Sequence, residues 1–298
     1  MKTAICTCIK DEQDYLKEWI EYHLSIGFNH IYLYEDNGSK PHKDIVDLFP
    51  DTVNLFPIDV VKNEPVTVEQ RQMQMYVYSM RTIGDMYDWI AFIDADEFID
   101  FEEGWNLERL LSEHDSFPAI MLSWMLYTAN GRIEKPTGNV IDSYPNPNIV
   151  VDYNKIWGDV QWTFKSIVNT KRYQGFKHIH WAHGAVNMNG STKKELKVFK
   201  KAWIRHYYTK SWEEWVYRIM KRGDLCNGNR KLAQFFNANP DMKHMKKSLI
   251  KSVADQIPHG NKNYWLDVEN GIIAGGNVKK IMELNRILNM DKIVHILK

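Results

Sequence analysis

The sequence predicts an α/β protein: a doubly wound, mostly parallel sheet with helices on both faces, continued by a helical C-terminal extension. Three observations predict it. Strand-like and helix-like segments alternate in the order β-α-β-α-β-α-β over the first hundred or so residues, the order that builds parallel sheets through right-handed crossovers. The strand segments are near-continuous apolar runs, as strands buried on both faces require. After about Ser211 strand-like sequence gives way to helical periodicity, which divides the chain into a sheet domain over 1–210 and an extension over 211–298.

The first run, TAICTCI at 3–9, is short, apolar and β-prone. A helix follows, with Asp11 as its cap, Asp14 in its first turn, and Tyr15, Leu16, Trp19, Ile20 and Leu24 at helical spacing; Gly27 stops it. HIYLYED at 30–36 is the second strand and closes on the turn Asn37-Gly38-Ser39. A short helix near 43–48 and a strand near 52–58 come next, then a helix from Val68 to Ile83 with Met73, Tyr76, Val77 and Met80 on one face. DWIAFIDADEFID at 88–100 reads as one strand. Further strands are expected at 121–127, 164–170 and within 197–208, and helices at 211–224, 243–256 and 277–297. The segments TANGRIEKPTGN and SYPNPN between them are rich in turn residues.

Composition excludes several classes. Lys+Arg and Asp+Glu are equal at 38 each, so the chain lacks the basic excess that neutralises nucleic-acid phosphates, and no nucleic-acid partner is expected. A charged fraction of 26% beside 44% hydrophobic residues excludes disorder as the main state. No run approaches the roughly 18–20 apolar residues of a membrane span. Acidic residues from Asp11 onward leave no room for a signal-peptide apolar region. Cys6 and Cys8 are too close to bridge, and 3 cysteines cannot all pair, so a reducing cytoplasmic setting is expected. The load of 11 Trp, 15 Tyr and 12 Phe serves either a core or the stacking of sugar rings and bases; Trp157, Trp162 and Trp181 are the candidates for the second use.

In open α/β sheets ligands bind beyond the carboxyl ends of the strands, so the polar residues to weigh are those that end strands. The strongest group is Asp94-Ala95-Asp96-Glu97 after the apolar Trp89–Ile93. In extended chain residues two apart face the same side, which would aim Asp94 and Asp96 at one ion. Mg²⁺ and Mn²⁺ favour oxygen ligands and are commonly held by one or two carboxylates together with substrate phosphates. A second group, Tyr34-Glu35-Asp36, ends the second strand, where a carboxylate can accept hydrogen bonds from a ribose or base, although turn chemistry alone would also use these residues. The first strand ends in Lys10-Asp11-Glu12 with no glycine, so both the Rossmann and the P-loop fingerprints are absent there. His178, His180 and His183 lack partner cysteines, and a dedicated zinc site is not expected. His206 ends a strand and can complete an Asp94/Asp96 cation shell, while Lys210, Arg218 and Arg222 can neutralise a leaving diphosphate.

These residues carry a resemblance. Lys10-Asp11-Glu12, Glu18-Trp19-Ile20-Glu21-Tyr22-His23, Gly27-Phe28, Tyr34-Glu35-Asp36 and Asp94-Ala95-Asp96-Glu97-Phe98 resemble glycosyltransferase family 2-like proteins, in particular the bacterial branch that is also similar to glycosyltransferase family 92. Lys165-Ser166-Ile167 and His206–Ser211 extend the match, which covers roughly residues 3–225. The resemblance implies a GT-A fold, a nucleotide-sugar donor, most simply a UDP-sugar, and a divalent cation, Mn²⁺ or Mg²⁺. It assigns donor binding to Thr7, Lys10, Glu12, Asp36, Arg71, Asp94 and Lys210, and metal binding to Asp94, Asp96 and His206. It further implies hexosyl transfer with inversion, for which Glu97, Glu134 and Asp159 are the candidate bases.

The implied acceptor is a saccharide or glycolipid of lipopolysaccharide or capsule synthesis, met in the cytoplasm or at the inner membrane face. The amphipathic last helix and the basic stretch His244–Lys251 are expected to pack on the protein's own core or on a second copy, with peripheral membrane contact as the alternative. Two rival readings stay open: a sugar-nucleotide pyrophosphorylase, which would need a Gly-rich, Arg-containing loop after the first strand, and a non-catalytic nucleotide- or carbohydrate-binding protein.

Overall fold

The computed structural model describes residues 1–36, 41–58, 68–147, 163–188, 199–220 and 232–254. The first four strands, β1 (Thr3–Ile9), β2 (His30–Glu35), β3 (Val53–Pro57) and β4 (Trp89–Phe92), are parallel in the order β3-β2-β1-β4. They are joined by α1 (Leu16–Ser25), a short α2 (Lys43–Val46) and α3 (Val68–Ile83). Ala4, Ile5, Cys6, Ile31, Leu33, Ile90, Ala91 and Phe92 are all buried, which is why these strands read as apolar runs without alternation.

Beyond β4 the sheet becomes mixed. β7 (Phe164–Asn169) pairs antiparallel with β4 on one side and with β6 (Ala119–Tyr127) on the other, and the order continues through β11 (Ala202–Tyr207) to β5 (Glu97–Phe101). β8 (Phe176–His178) and β9 (Trp181–Ala182) form a small hairpin, and β10 (Ala185–Asn187) adds to β6. The α/β class expected from the sequence holds; the β3-β2-β1-β4 half and the β6/β10 pair are parallel, while β7 is antiparallel to both β4 and β6 and β11 is antiparallel to β5. Within the half beyond β4, α4 (Leu107–Glu113) buries Leu107, Leu110 and Leu111 behind an Asn106 cap that accepts the Arg109 N–H at 2.9 Å.

Two local expectations are corrected. Asp11 does not cap α1: it takes a left-handed φ of 51°, and the helix starts at Leu16, after a turn in which the Glu12 carbonyl accepts the Tyr15 and Leu16 N–H groups. The segment 88–100 is two strands, with Ile93 to Asp96 turning between β4 and β5.

α1 fixes where that turn sits. Leu16, Trp19, Ile20 and His23 line its buried face at helical spacing. The Trp19 indole donates to the Glu97 carbonyl at 2.7 Å, the Tyr22 hydroxyl donates to the Ile99 carbonyl at 2.8 Å, and His23 Nε2 accepts the Ile99 N–H at 3.4 Å. Burial pushes the His23 pKa down to about 3, so the ring is neutral and able to accept. Three polar groups of one helix thus hold the start of β5.

The chain forms two compact units, residues 1–125 with 159–206 and residues 126–158 with 207–298. The first contains the strand ends of interest. The second contains α5 (Val140–Ser143), α6 (Trp212–Met220), α7 (Phe235–Ala238) and α8 (Lys246–Ala254), and the Trp212 ring of α6 lies 5.2 and 5.4 Å from Phe235 and Phe236 of α7. α6 opens on a reciprocal cap: Ser211 Oγ accepts the Glu214 N–H at 3.2 Å and Glu214 Oε2 accepts the Ser211 N–H at 3.1 Å. Ser211→Ala is expected to lower stability by about 1 kcal/mol, read as a shift in urea midpoint at unchanged slope. The helices expected at 243–256 and 211–224 appear in part, and the one at 277–297 lies outside the described residues. Among the described residues no helix is long and apolar enough to cross a membrane.

Candidate functional site

The carboxyl ends of β2, β1 and β4 stand side by side. Ile9 pairs with Glu35, and Cys6 with Phe92, so the chain beyond Phe92 passes the end of β1. The Asp36 N–H closes onto the Ile9 carbonyl at 2.8 Å. Asp36 itself pairs with Arg71 of α3 at 2.8 Å, which unites two residues assigned to donor binding. Thr7 is fully buried, and Glu12 is buried with its N–H donated to His42 Nε2 at 2.9 Å. Lys10 stands in the turn that ends β1.

The acidic turn is built differently from an extended strand. Residues 93–96 turn, and Asp94 and Asp96 contact different partners. Asp94 Oδ2 pairs with the Lys165 ammonium at 2.9 Å, and its Oδ1 accepts from the Gln72 amide at 2.6 Å. Asp96 Oδ1 instead lies 3.7 Å from His206 Nε2, each side chain 6% exposed. The antiparallel register of β11 on β5 sets His206 opposite Glu97 and so brings it to the turn. The Trp124 ring packs 4.3 Å from His206 and 5.2 Å from His180.

Beneath the turn lie two buried charged groups. Glu97 is fully buried; its Oε2 accepts the Asp94 N–H at 2.8 Å, and burial, reinforced by the neighbouring Asp94 and Asp96, raises its pKa well above the usual carboxyl value. Lys165 is also buried. Desolvation works to lower its pKa, yet the carboxylates of Asp94 and Glu97 outweigh it and hold the ammonium above its ordinary value. Its Nζ also approaches the Tyr76 hydroxyl at 3.4 Å. Burial raises the Cys8 thiol, and the carboxylates of Asp94 and Asp36 raise it further.

The histidine cluster is accounted for within the sheet domain. His178 Nε2 pairs with Glu69 at 2.8 Å, while His180 lies against the Phe164 carbonyl at 3.1 Å, its pKa driven well below 6.5 by burial and by the Lys165 charge. Glu134 is exposed on the loop after β6, and Lys210, with φ 53°, precedes α6; both belong to the second unit. There Arg218 donates to the Tyr208 carbonyl at 3.0 Å. Asp159, Trp157, Trp162 and Arg222 lie outside the described residues.

Three residues were missed as site components. Lys165 stands in the sequence as a charge inside the apolar run FKSIV and as part of the resemblance, with no role attached to it, and Gln72 and His42 carry no local signal. Among the described residues no group of three or more His, Cys, Asp and Glu side chains is arranged to hold a metal. The donor set nevertheless fits a divalent cation: a carboxylate oxygen and an imidazole nitrogen converge at the turn, and such ions take remaining ligands from water and phosphate. Both Asp94 oxygens are engaged, one by Lys165 and one by Gln72.

Fold and site together define an α/β protein with acidic residues at the ends of neighbouring strands. The profile of glycosyltransferase family 92 matches residues 2–257, and the chain belongs to that family. A glycosyltransferase family 92 protein of Ricinus communis is 20% identical over 214 residues, 69% of this chain and 38% of that protein. A second, from Oryza sativa subsp. japonica, is 21% identical over 204 residues, 66% of this chain and 34% of its own length. This chain therefore matches less than half the length of these plant relatives. Among solved structures, S. aureus TarS 1-349 in complex with UDP-GlcNAc aligns over 98% of this chain and 89% of its own, at 10% identity and a TM-score of 0.39. Glucosyl-3-phosphoglycerate synthase from Mycobacterium tuberculosis, in complex with Mn²⁺, UDP and phosphoglyceric acid, aligns over 57% and 56% at 10% identity and a TM-score of 0.34.

Proposed function

We propose that this chain is a glycosyltransferase that moves a sugar from a nucleotide-sugar donor, a UDP-sugar, to a saccharide or glycolipid acceptor with the help of Mn²⁺ or Mg²⁺. The observation that carries the reading is the convergence of the β1, β2 and β4 carboxyl ends, with the Asp96–His206 pair beside them. In this reading Asp36, oriented by Arg71, accepts hydrogen bonds from the donor's ribose or uracil. Thr7, Lys10 and Glu12 line the nucleotide end. Asp94, fixed by Lys165 and Gln72, offers its remaining acceptor capacity to donor hydroxyls. Asp96 and His206, with Asp94 beside them in the turn, would hold the cation, which would supply positive charge to the departing diphosphate. Residues 1–210 form the catalytic part and 211–298 a helical extension that carries Lys210's neighbouring cations.

A base on the acceptor hydroxyl completes an inverting transfer, and such a group contributes about 10²–10⁴-fold. Of the candidates, Glu134 presents an exposed carboxylate, whereas Glu97 has its carboxyl enclosed. The acceptor assigned by resemblance belongs to lipopolysaccharide or capsule synthesis at the inner face of the membrane.

The test is a screen of UDP- and GDP-sugars with Mn²⁺ or Mg²⁺, reading nucleotide release and thermal stabilisation together. Cation-dependent release of UDP is the expected result. Stabilisation without release identifies a binding protein, and neither effect with any donor defeats the reading. His206→Ala is expected to weaken Mn²⁺ affinity by at least the roughly 10–100-fold that loss of an outer-shell partner brings; unchanged affinity by titration calorimetry removes His206 from the site.

A further inference from the structure

His42 stands immediately before α2, seven residues after the end of β2, and nothing in the sequence around it marks it as functional. It is fully buried. Its ring bridges two of the strand ends that form the proposed donor site. Nε2 accepts the Glu12 N–H at 2.9 Å, while Nδ1 lies 2.6 Å from Glu35 Oε1. A nitrogen that accepts from an amide carries a lone pair, so the ring proton sits on Nδ1 and is donated to Glu35. The His42 backbone is fixed as well: its N–H donates to the same Glu35 oxygen at 2.9 Å, and its carbonyl accepts from Ile45 and Val46 in the first turn of α2.

The group held by Nε2 is the amide that follows Asp11, a non-glycine residue at φ 51°. A left-handed backbone at such a residue costs free energy and persists only where its surroundings over-determine it. Here the residue after Asp11 is held through both of its backbone groups: the Glu12 N–H by His42, and the Glu12 carbonyl by the Tyr15 and Leu16 amides. Removing the ring leaves a buried N–H without its acceptor and frees the turn that presents Lys10, Asp11 and Glu12.

We infer that His42 is a positioning residue for nucleoside-diphosphate binding: as the Nδ1–H tautomer it locks the strained Lys10–Glu12 turn against the end of β2. This rests on the donor site proposed above. Specifically, Glu35 fixes the tautomer, the tautomer supplies the acceptor, and the acceptor sets the turn. The ring touches no substrate in this scheme; it acts through the Glu12 amide.

The test uses the full chain, UDP as the probe and Mn²⁺ throughout. His42→Ala is expected to weaken UDP binding about tenfold, the equivalent of one buried donor left unpaired. His42→Gln, whose amide oxygen can replace Nε2 as acceptor, is expected to restore affinity to within about threefold of wild type, and His42→Asn, which replaces only the Nδ1 donor, to remain near the alanine value. Nitrogen NMR of the wild type should show the Nδ1–H tautomer, and hydrogen exchange should show the Glu12 amide protected in wild type and His42→Gln but not in His42→Asn. Wild-type affinity in His42→Ala, equal losses in the Gln and Asn variants, or an Nε2–H tautomer would each overturn the assignment. Should His42→Ala not fold, the Gln/Asn contrast and the tautomer decide it. A wild-type chain that binds neither UDP nor GDP defeats the donor reading and this inference together, whereas wild-type binding that His42→Ala leaves intact defeats this inference alone.

Discussion

Asp96→Ala is expected to reduce cation-dependent UDP-sugar turnover by on the order of 10³-fold in kcat/KM, because a metal ion contributes several kcal/mol at a departing diphosphate and each 1.36 kcal/mol is a factor of ten. Asp96 is the carboxylate turned toward His206, whereas Asp94 has given its two oxygens to Lys165 and Gln72. The loss should therefore appear at position 96 as a loss of Mn²⁺ response. It should leave the fold in place: Asp96 stands in a turn, and its charge is among the influences that raise the pKa of buried Glu97, so its removal relieves repulsion. Circular dichroism and melting should thus match wild type closely. Mn²⁺-stimulated turnover within tenfold of wild type would place the cation elsewhere.

How much of this site could be read from the chain depends on which links are local. The three strand ends were legible because a parallel strand buried on both faces is a continuous apolar run, and the residue that ends it is polar. Asp36 and Asp96 were found that way. The turn at Ile93–Asp96 was not, since Trp89–Asp100 is apolar and β-prone on both sides of it; what breaks the strand is tertiary, the anchoring of Glu97 and Ile99 by Trp19, Tyr22 and His23 of α1. The same holds for Lys165. Its position beside Asp94 follows from the antiparallel placement of β7 on β4, a pairing across some seventy residues that no periodicity reveals.

The Asp11 cap failed for a related reason. An aspartate ahead of an apolar helical pattern is a fair start signal, but the loop at the end of β1 is committed instead to the His42 contact and to a left-handed turn. Where local preference and observed geometry disagree, the disagreement falls at the proposed donor site in both cases, as expected if strain is concentrated where ligands bind. Family membership does not by itself supply these contacts; they come from the arrangement of this chain's own strand ends.

Lys165→Met is expected to lower stability by about 2–3 kcal/mol near neutral pH. Removing one partner of a buried ion pair typically costs about 3–5 kcal/mol, and the lower figure applies because the Asp94 side chain is 34% exposed and water can screen part of the charge left behind. For a unit of this size that corresponds to roughly 5–10 °C in melting temperature. The pH dependence identifies the cause. Glu97 has a folded pKa raised above the usual 4.5, so between 4.5 and that raised value the folded chain binds more protons than the unfolded one, and stability falls as pH rises through the window. The Lys165 ammonium is one of the influences that hold the Glu97 pKa down. Without it the Glu97 pKa climbs further, and the fall in stability extends to higher pH. The gap between variant and wild type should accordingly widen from pH 5 to pH 8, and Glu97→Gln in the Lys165→Met background should remove that widening while leaving the loss at Asp94. Urea titrations at several pH values measure this; a gap that is constant with pH, or absent, would show that Lys165 does not carry the charge balance of the acidic turn.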